Sequence, residues 1–258
     1  SSSSSDDDED DDEYDDGSSA AAVVSKMTPD EMLRDWFPLS FESYLDPAVP
    51  NPLLHMGRNL AVWRDGTTGE WNAVDDMCPH KLAPLSDGSI AEDGASLRCS
   101  YHGWRFDGCG SCRAIPSLPA DAPISARCDV RSYPVRRTGS MLWIWMDPSV
   151  EPNRDSPRIK HAGDAWNLED GYQRDLAYSW DCLFENILDP THVAYAHFGL
   201  GKEFNRTEAD EIREDHVADL RTRYADDGVQ LRFNRTINGR NLNETWDFLY
   251  PGVWFLRR

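Results

Sequence analysis

The sequence predicts an α+β protein in which a small β domain is followed by a domain combining a helical stretch with long strands. Three observations predict it. From Trp36 to about Asp147, short apolar runs alternate with turn residues at strand spacing. A helical stretch begins near Asp181, and after Asp210 the strand pattern returns in "LRTRYADDGVQLRFNRTINGRNLNETWDFLYPGVWFL". Between the two, "PSVEPNRDSPRIKHAGDAW" is polar and proline-bearing, as a linker or surface excursion is. With 258 residues, the chain has material for one large domain or two modest ones. The boundaries expected are a tail over 1–27, a β domain over 28–150, a linker over 151–172, and an incomplete second domain over 173–258.

Taken in order, the elements have simple signatures. Residues 6–16, "DDDEDDDEYDD", hold ten of the acids and repel one another, so the tail is expected to be disordered. Of the net charge of -20, about half remains on the body, and an acidic body argues against a nucleic-acid partner. "LLHMGRNLAVWRD" and "EWNAVDDM" flank "GTTG" as the arms of a hairpin, and "RSYPVRR" and "MLWIWMD" flank "TGS" as another. "QRDLAYSW" has the alternation of a strand. The longest apolar run, "MLWIWM" at 141–146, is far too short for a membrane span. The chain does not begin with Met, which suggests a processed protein or a fragment. Its six cysteines are too few and scattered to demand a disulfide scaffold.

Two cysteine–histidine pairs carry chemistry: Cys78-x-His80 and Cys99-x2-His102, with eighteen residues between His80 and Cys99. Two thiolates and two imidazoles can hold zinc or iron. Zinc fingers group Cys with Cys and His with His, whereas here each loop supplies one of each. That alternation suits a two-iron cluster in which one iron takes both thiolates and the other both imidazoles; zinc remains the alternative. Pro79 stiffens the first loop, Gly103 allows close backbone approach in the second, and the Tyr101 hydroxyl is within reach of cluster or ligand sulfur. Cys109 and Cys112 in "GCGSC" are read as reduced thiols on a turn, with a redox pair as the other reading.

A second constellation lies in "DCLFENILDPTHVAYAHFGLG": Asp189-x2-His192-x4-His197. Two imidazoles and a carboxylate are the material of a mononuclear non-haem Fe(II) site. His192 and His197 lie about 140° apart on an ideal helix, so the helix must end or distort between them to bring both to one ion. Asp189 has two readings. It is a helix N-cap, with Pro190 at the first helical position, or it accepts a hydrogen bond from an iron-ligating imidazole. His55, His161 and His216 have no such company and are read as surface or packing residues.

With both constellations, and with "WFPLSF", "DDMCPHKLAPLSDG", "CSYHGWRFDGCGSCRAIPSLP" and "ENILDPTHVAYAH", residues 33–200 resemble the Rieske non-haem iron oxygenases, in their plastid branch. The resemblance implies an N-terminal Rieske β domain followed by a helix-grip antiparallel-sheet catalytic domain, incomplete here. It implies a [2Fe-2S] cluster on Cys78, His80, Cys99 and His102, and a mononuclear iron on His192 and His197, with Asp189 bridging the two centres. The family's third ligand, a distant carboxylate, has no convincing counterpart among the 61 residues after His197. Ferredoxin as electron donor, O2 and a chlorin-type substrate opened in chlorophyll breakdown, and a head-to-tail homotrimer are further implications. So is a place on the envelope or thylakoid membrane of the chloroplast, with anchoring only through a C-terminal region this chain lacks. Two alternatives stand beside it: an oxygenase of another chlorophyll-type molecule, and a redox-sensing Rieske protein of the translocon-associated type.

Overall fold

Successive side chains of a strand point to opposite faces, and strand β3 (Arg58–Arg64) is buried on both. Leu60 and Val62 face one apolar cluster, Ala61 and Trp63 face another, and all four are fully buried. This strand therefore organises a two-layered core. In the computed structural model of the chain, the described residues are 28, 31, 33–119, 121–156, 176–189, 191–192, 196, 215–225, 228–237, 239–249 and 253–257. They fall in two units, one of Thr28–Arg174 and one containing Asp175–Arg258.

In the first unit, β3 pairs antiparallel with β2 (Asn51–His55) and β4 (Trp71–Asp75), and β4 pairs with β9 (Ser132–Tyr133). The run expected as a single hairpin arm is broken by a two-residue turn at Met56–Gly57, whose φ angles of 47° and 77° are those of a primed turn. A second sheet joins β1 (Trp36–Phe41), β11 (Met141–Trp145) and β10 (Val135–Thr138). Leu39, Leu142 and Ile144 from it meet Leu60, Val62 and Ala73. The third sheet is a meander of very short strands: β5 (Ser89–Ile90), β6 (Leu97–Arg98), β7 (Arg105–Phe106) and β8 (Cys112–Ala114). Leu97 and Phe106 pack against Ala61, Trp63 and Val74, the other face of β3 and β4.

Residues 151–156, expected to begin a linker, are tied to this unit. Trp36 Nε1 donates to the Arg154 carbonyl at 2.8 Å, Arg136 pairs with Asp155 at 2.8 Å, and the Thr138 and Ser156 hydroxyls are hydrogen-bonded. The acidic tail, the rest of the linker expectation and His161 lie outside the described residues.

The second unit contains helix α1 (Trp180–Ile187) and an antiparallel meander of β12 (Asp215–Ala225), β13 (Gly228–Ile237), β14 (Arg240–Leu249) and β15 (Val253–Arg257). The strand expected over 173–180 is not formed in its described part. Leu176–Ser179 is irregular, and Ser179, with φ −73° and ψ 159°, starts α1 instead. Leu176 and Tyr178 alternate as strand residues do, but both are exposed and, among the described residues, pair with no strand. Leu231, Phe233 and Trp246 form the buried face of the sheet, with Leu188, at the end of α1, packed on them. Phe184 of α1 lies 4.1 Å from Phe248. Arg235 and Glu244 are also buried, and Trp246 Nε1 donates to Glu244 at 3.1 Å. Among the described residues, no helix is long and apolar enough to cross a membrane.

Candidate metal centre

Both cysteine–histidine pairs sit on six-residue loops, 78–83 and 99–104, and the two loops are closed by the same backbone bonds. In the first, Cys78 N–H donates to the Ala83 carbonyl and Leu82 N–H to the Cys78 carbonyl, each at 2.8 Å. In the second, Cys99 N–H donates to the Trp104 carbonyl at 2.8 Å and Gly103 N–H to the Cys99 carbonyl at 3.1 Å. The fifth residue of each loop takes the left-handed conformation, with φ 60° at Leu82 and 72° at Gly103. Glycine adopts it freely, whereas leucine does so at a cost. "CPHKLA" and "CSYHGW" are thus one backbone motif with the histidine moved by a position.

Neighbouring residues hold the loops in place. The Asp76 carboxylate accepts from both Ser86 N–H (2.7 Å) and the Ser86 hydroxyl (2.6 Å), closing the base of the first loop. Gly88 lies so close to the backbone before the second loop that a Cβ there would meet the Arg98 carbonyl at 2.1 Å. The first contact braces its own loop, and the second sets the backbone before Cys99 against the turn that follows the first loop.

The donors come together as like with like. Cys78 and Cys99 are almost wholly buried, and their thiols are hydrogen-bonded. Burial pushes the Cys78 thiol up to about 11, the neighbouring Cys99 adds to this, and backbone N–H groups of His80 and Lys81 directed at its sulfur oppose it. Such a thiol becomes a thiolate when cationic charge is placed beside it, and the N–H groups are already aimed at the anion. The rings of His80 and His102 meet edge to face, 4.5 Å between centroids. Burial, then His102 and Lys81, hold the His80 imidazole below its ordinary range, so it is neutral, the form that ligates metal. Its Nδ1 is buried with no hydrogen-bond partner, an orphaned lone pair of the kind a metal satisfies.

Among the described residues, no three His, Cys, Asp or Glu side chains gather as a single ion would need. A thiol pair beside an imidazole pair fits a two-iron cluster, in which each iron takes one pair.

Two aromatic residues complete the site. Trp104 stacks on His80 with ring centroids 4.7 Å apart and planes 6° from parallel. The residues alone did not single out Trp104, and its only signal is an aromatic directly after the left-handed glycine. Tyr101 is 64% exposed, and its ring lies 4.1 Å from that of His102.

In the other unit, Asp189 Oδ1 accepts from Thr191 N–H at 2.8 Å and from the Thr191 hydroxyl at 2.6 Å, as a cap does. The hydroxyl bond, chiefly, holds this carboxyl below the usual aspartate range. His192 Nδ1 lies 2.6 Å from the Asp189 carbonyl oxygen. Asp189 and His192 are near the surface of their unit, and His197 and Pro190 lie outside the described residues. His216 is exposed and His55 half-buried.

Comparisons with known proteins place these features in a family. Residues 35–134 match the Rieske [2Fe-2S] domain. Over 179 residues the chain is 40% identical to the chloroplastic pheophorbide a oxygenase of Arabidopsis thaliana, covering 63% of this chain and 32% of that protein. It is also 40% identical, over 176 residues, to the chloroplastic protochlorophyllide-dependent translocon component 52 of Arabidopsis thaliana (64% and 31% covered). To the chloroplastic protein TIC 55 of Pisum sativum it is 34% identical over 185 residues (71% and 32% covered). The chain thus spans about a third of the length of these relatives. A crystal structure of dicamba monooxygenase shares the fold, with a TM-score of 0.68 at 22% identity, covering 87% of this chain and 66% of that one. Residues 35–134 are a Rieske [2Fe-2S] domain, and over about 63% of its length the chain is similar to chloroplast Rieske oxygenases.

Proposed function

We propose that this chain is part of a chloroplast monooxygenase that receives electrons from ferredoxin and oxygenates a chlorin, with pheophorbide a as the substrate. The observation that carries this reading is the presence, in one chain, of the paired cluster loops and of Asp189-x2-His192-x4-His197. Its 40% identity to pheophorbide a oxygenase supports the substrate. The cluster supplies one-electron transfer when bound, and a mononuclear iron supplies the chemistry of O2.

What the chain's own residues do follows from their chemistry. Cys78 and Cys99 would hold one iron through their buried sulfurs and His80 and His102 the other through ring nitrogens, and such a cluster would carry less negative charge than an all-thiolate one. Trp104 fixes the plane of His80. The Tyr101 ring lies tilted against that of His102. A proton on His192 Nδ1, held by the Asp189 carbonyl, leaves the Nε2 lone pair to face a metal. His197 and a carboxylate complete that site, and Asp189 links it to a cluster across a subunit boundary in a homotrimer.

A second reading is a redox-sensing role of the translocon-associated type, or a protochlorophyllide-type substrate, and it has behind it the 40% identity of the protochlorophyllide-dependent translocon component and the 34% identity of TIC 55. The deciding experiment gives the full-length protein reduced ferredoxin, 18O2 and either pheophorbide a, chlorophyllide a or protochlorophyllide. The first reading predicts labelled, ring-opened product from pheophorbide a alone. Labelled product from one of the others reassigns the substrate. A cluster that ferredoxin reduces, with no chlorin oxygenated, replaces the enzyme reading with the redox-sensing one.

A further inference from the structure

The spacing of Cys109 and Cys112 invites pairing them with each other, but the fold separates them. Cys109 is exposed on a turn held by Asp107, whose Oδ1 accepts from Cys109 N–H (3.0 Å) and Ser111 N–H (2.9 Å). Cys112 is 7% exposed and belongs to the apolar cluster that contains Cys78 and Cys99. Its thiol donates only weakly, to the Ala114 carbonyl at 3.8 Å.

A different cysteine, Cys128, lies on the segment that runs against it. The segment 109–112 runs against 128–132: Val130 N–H donates to the Gly110 carbonyl at 2.9 Å, Cys112 N–H to Asp129 Oδ1 at 2.8 Å, and the Ser132 hydroxyl to the Cys109 carbonyl at 2.8 Å. A Cβ on Gly110 would meet the Val130 carbonyl at 2.1 Å, so the approach is as close as backbone allows. Cys128 is half-buried and packs on the same cluster as Cys112.

We infer that Cys112 and Cys128 are a dithiol pair that a small disulfide oxidant joins into a buried disulfide behind the cluster loops. Cys128, the more accessible, attacks first. Its sulfur bonds to one sulfur of glutathione disulfide, and one glutathione leaves as thiolate. Cys112 then gives up its proton, its sulfur bonds to that of Cys128, and the second glutathione leaves. Two protein sulfurs are oxidised, two electrons reside on two glutathiones, and the two thiol protons end on them or in water. The bridge ties β8 to the segment entering β9 and closes the core on which Cys78 and Cys99 sit.

The test uses full-length protein with its cluster loaded, treated with glutathione disulfide, then alkylated and digested without reduction for mass spectrometry. The expected result is a peptide pair cross-linked through Cys112 and Cys128, two fewer alkylatable thiols, and a Cys109 that remains alkylatable. Cys109→Ser should keep the cross-link and Cys128→Ser should abolish it with the visible absorption of the cluster unchanged. Because Cys128 is the less buried partner, its replacement remains decisive even where Cys112→Ser fails to fold. A Cys109–Cys112 link, or Cys112 and Cys128 both alkylated after treatment, overturns the inference.

Discussion

In the Thr28–Arg174 unit, every proposed iron donor lies on a six-residue loop closed by its own backbone, while in the other unit Asp189 and His192 lie near the surface at a helix end. The first arrangement is local. Asp76 to Trp104 contains both loops, and Asp76–Ser86 and the Gly88 contact brace them within that stretch. The second depends on groups elsewhere, because the Asp189 carboxylate is engaged by Thr191 as a cap, which leaves the two imidazoles without an anionic ligand beside them. A cluster with four donors on two rigid loops should therefore form independently of the second site, and the reverse is not expected of electron delivery.

The largest test of that asymmetry is Cys99→Ser. It should remove iron and acid-labile sulfide from the Rieske unit altogether, whereas His192→Ala should leave both intact and abolish turnover of the full-length enzyme. Metal and sulfide analysis of the two variants side by side checks this, and loss of the cluster in His192→Ala would break the asymmetry. Next in size, His80→Cys replaces a neutral donor by an anionic one and should lower the reduction potential by on the order of hundreds of millivolts, read by redox titration. A potential unchanged by that variant would remove His80 from the ligand set.

Smaller effects probe the bracing. Gly88→Ala places a methyl 2.1 Å from a backbone carbonyl that cannot swing away, so the unit should lose ~2–3 kcal/mol of stability in denaturant titration. Asp189→Asn should retain the cap and Asp189→Ala should lose ~1 kcal/mol of stability. Because the folded carboxyl is held below its ordinary range, its contribution is present above the unfolded aspartate pKa and is lost as pH falls through the lowered folded value. The Ala variant should therefore show a shallower acid limb. Product yield separates the two roles of Asp189: a bridge fails in Asn, a cap does not. The smallest effect is Leu82→Gly, which relieves a left-handed leucine that is 64% exposed and should gain ~0.5 kcal/mol after the flexibility glycine adds to the unfolded chain. A loss there would show that the two loops are not equivalent.

How much of this was legible before the structure follows the same local-versus-distant division. The donor pairs were readable because each loop carries its own donors and its own glycine or proline. The loop equivalence was not, because Leu82 stands where the other loop has Gly103, and propensity alone does not place a leucine at positive φ. The strand at 173–180 misled because Leu176 and Tyr178 alternate correctly, and only a missing sheet partner exposes the error. The pairing of Cys112 with Cys128 was hidden by a nearer cysteine. Spacing in sequence says nothing about Cys109 facing out and Cys112 facing in.

The most direct measurement of the central claim is the content and magnetic signature of the reduced Rieske unit within the full-length protein. Two irons and two acid-labile sulfides are predicted, with 15N-histidine labelling revealing hyperfine coupling to two nitrogens. One of those couplings should disappear when either His80 or His102 is replaced by cysteine. Stoichiometric zinc without labile sulfide after anaerobic reconstitution, or coupling to one histidine only in the unmodified protein, would contradict it.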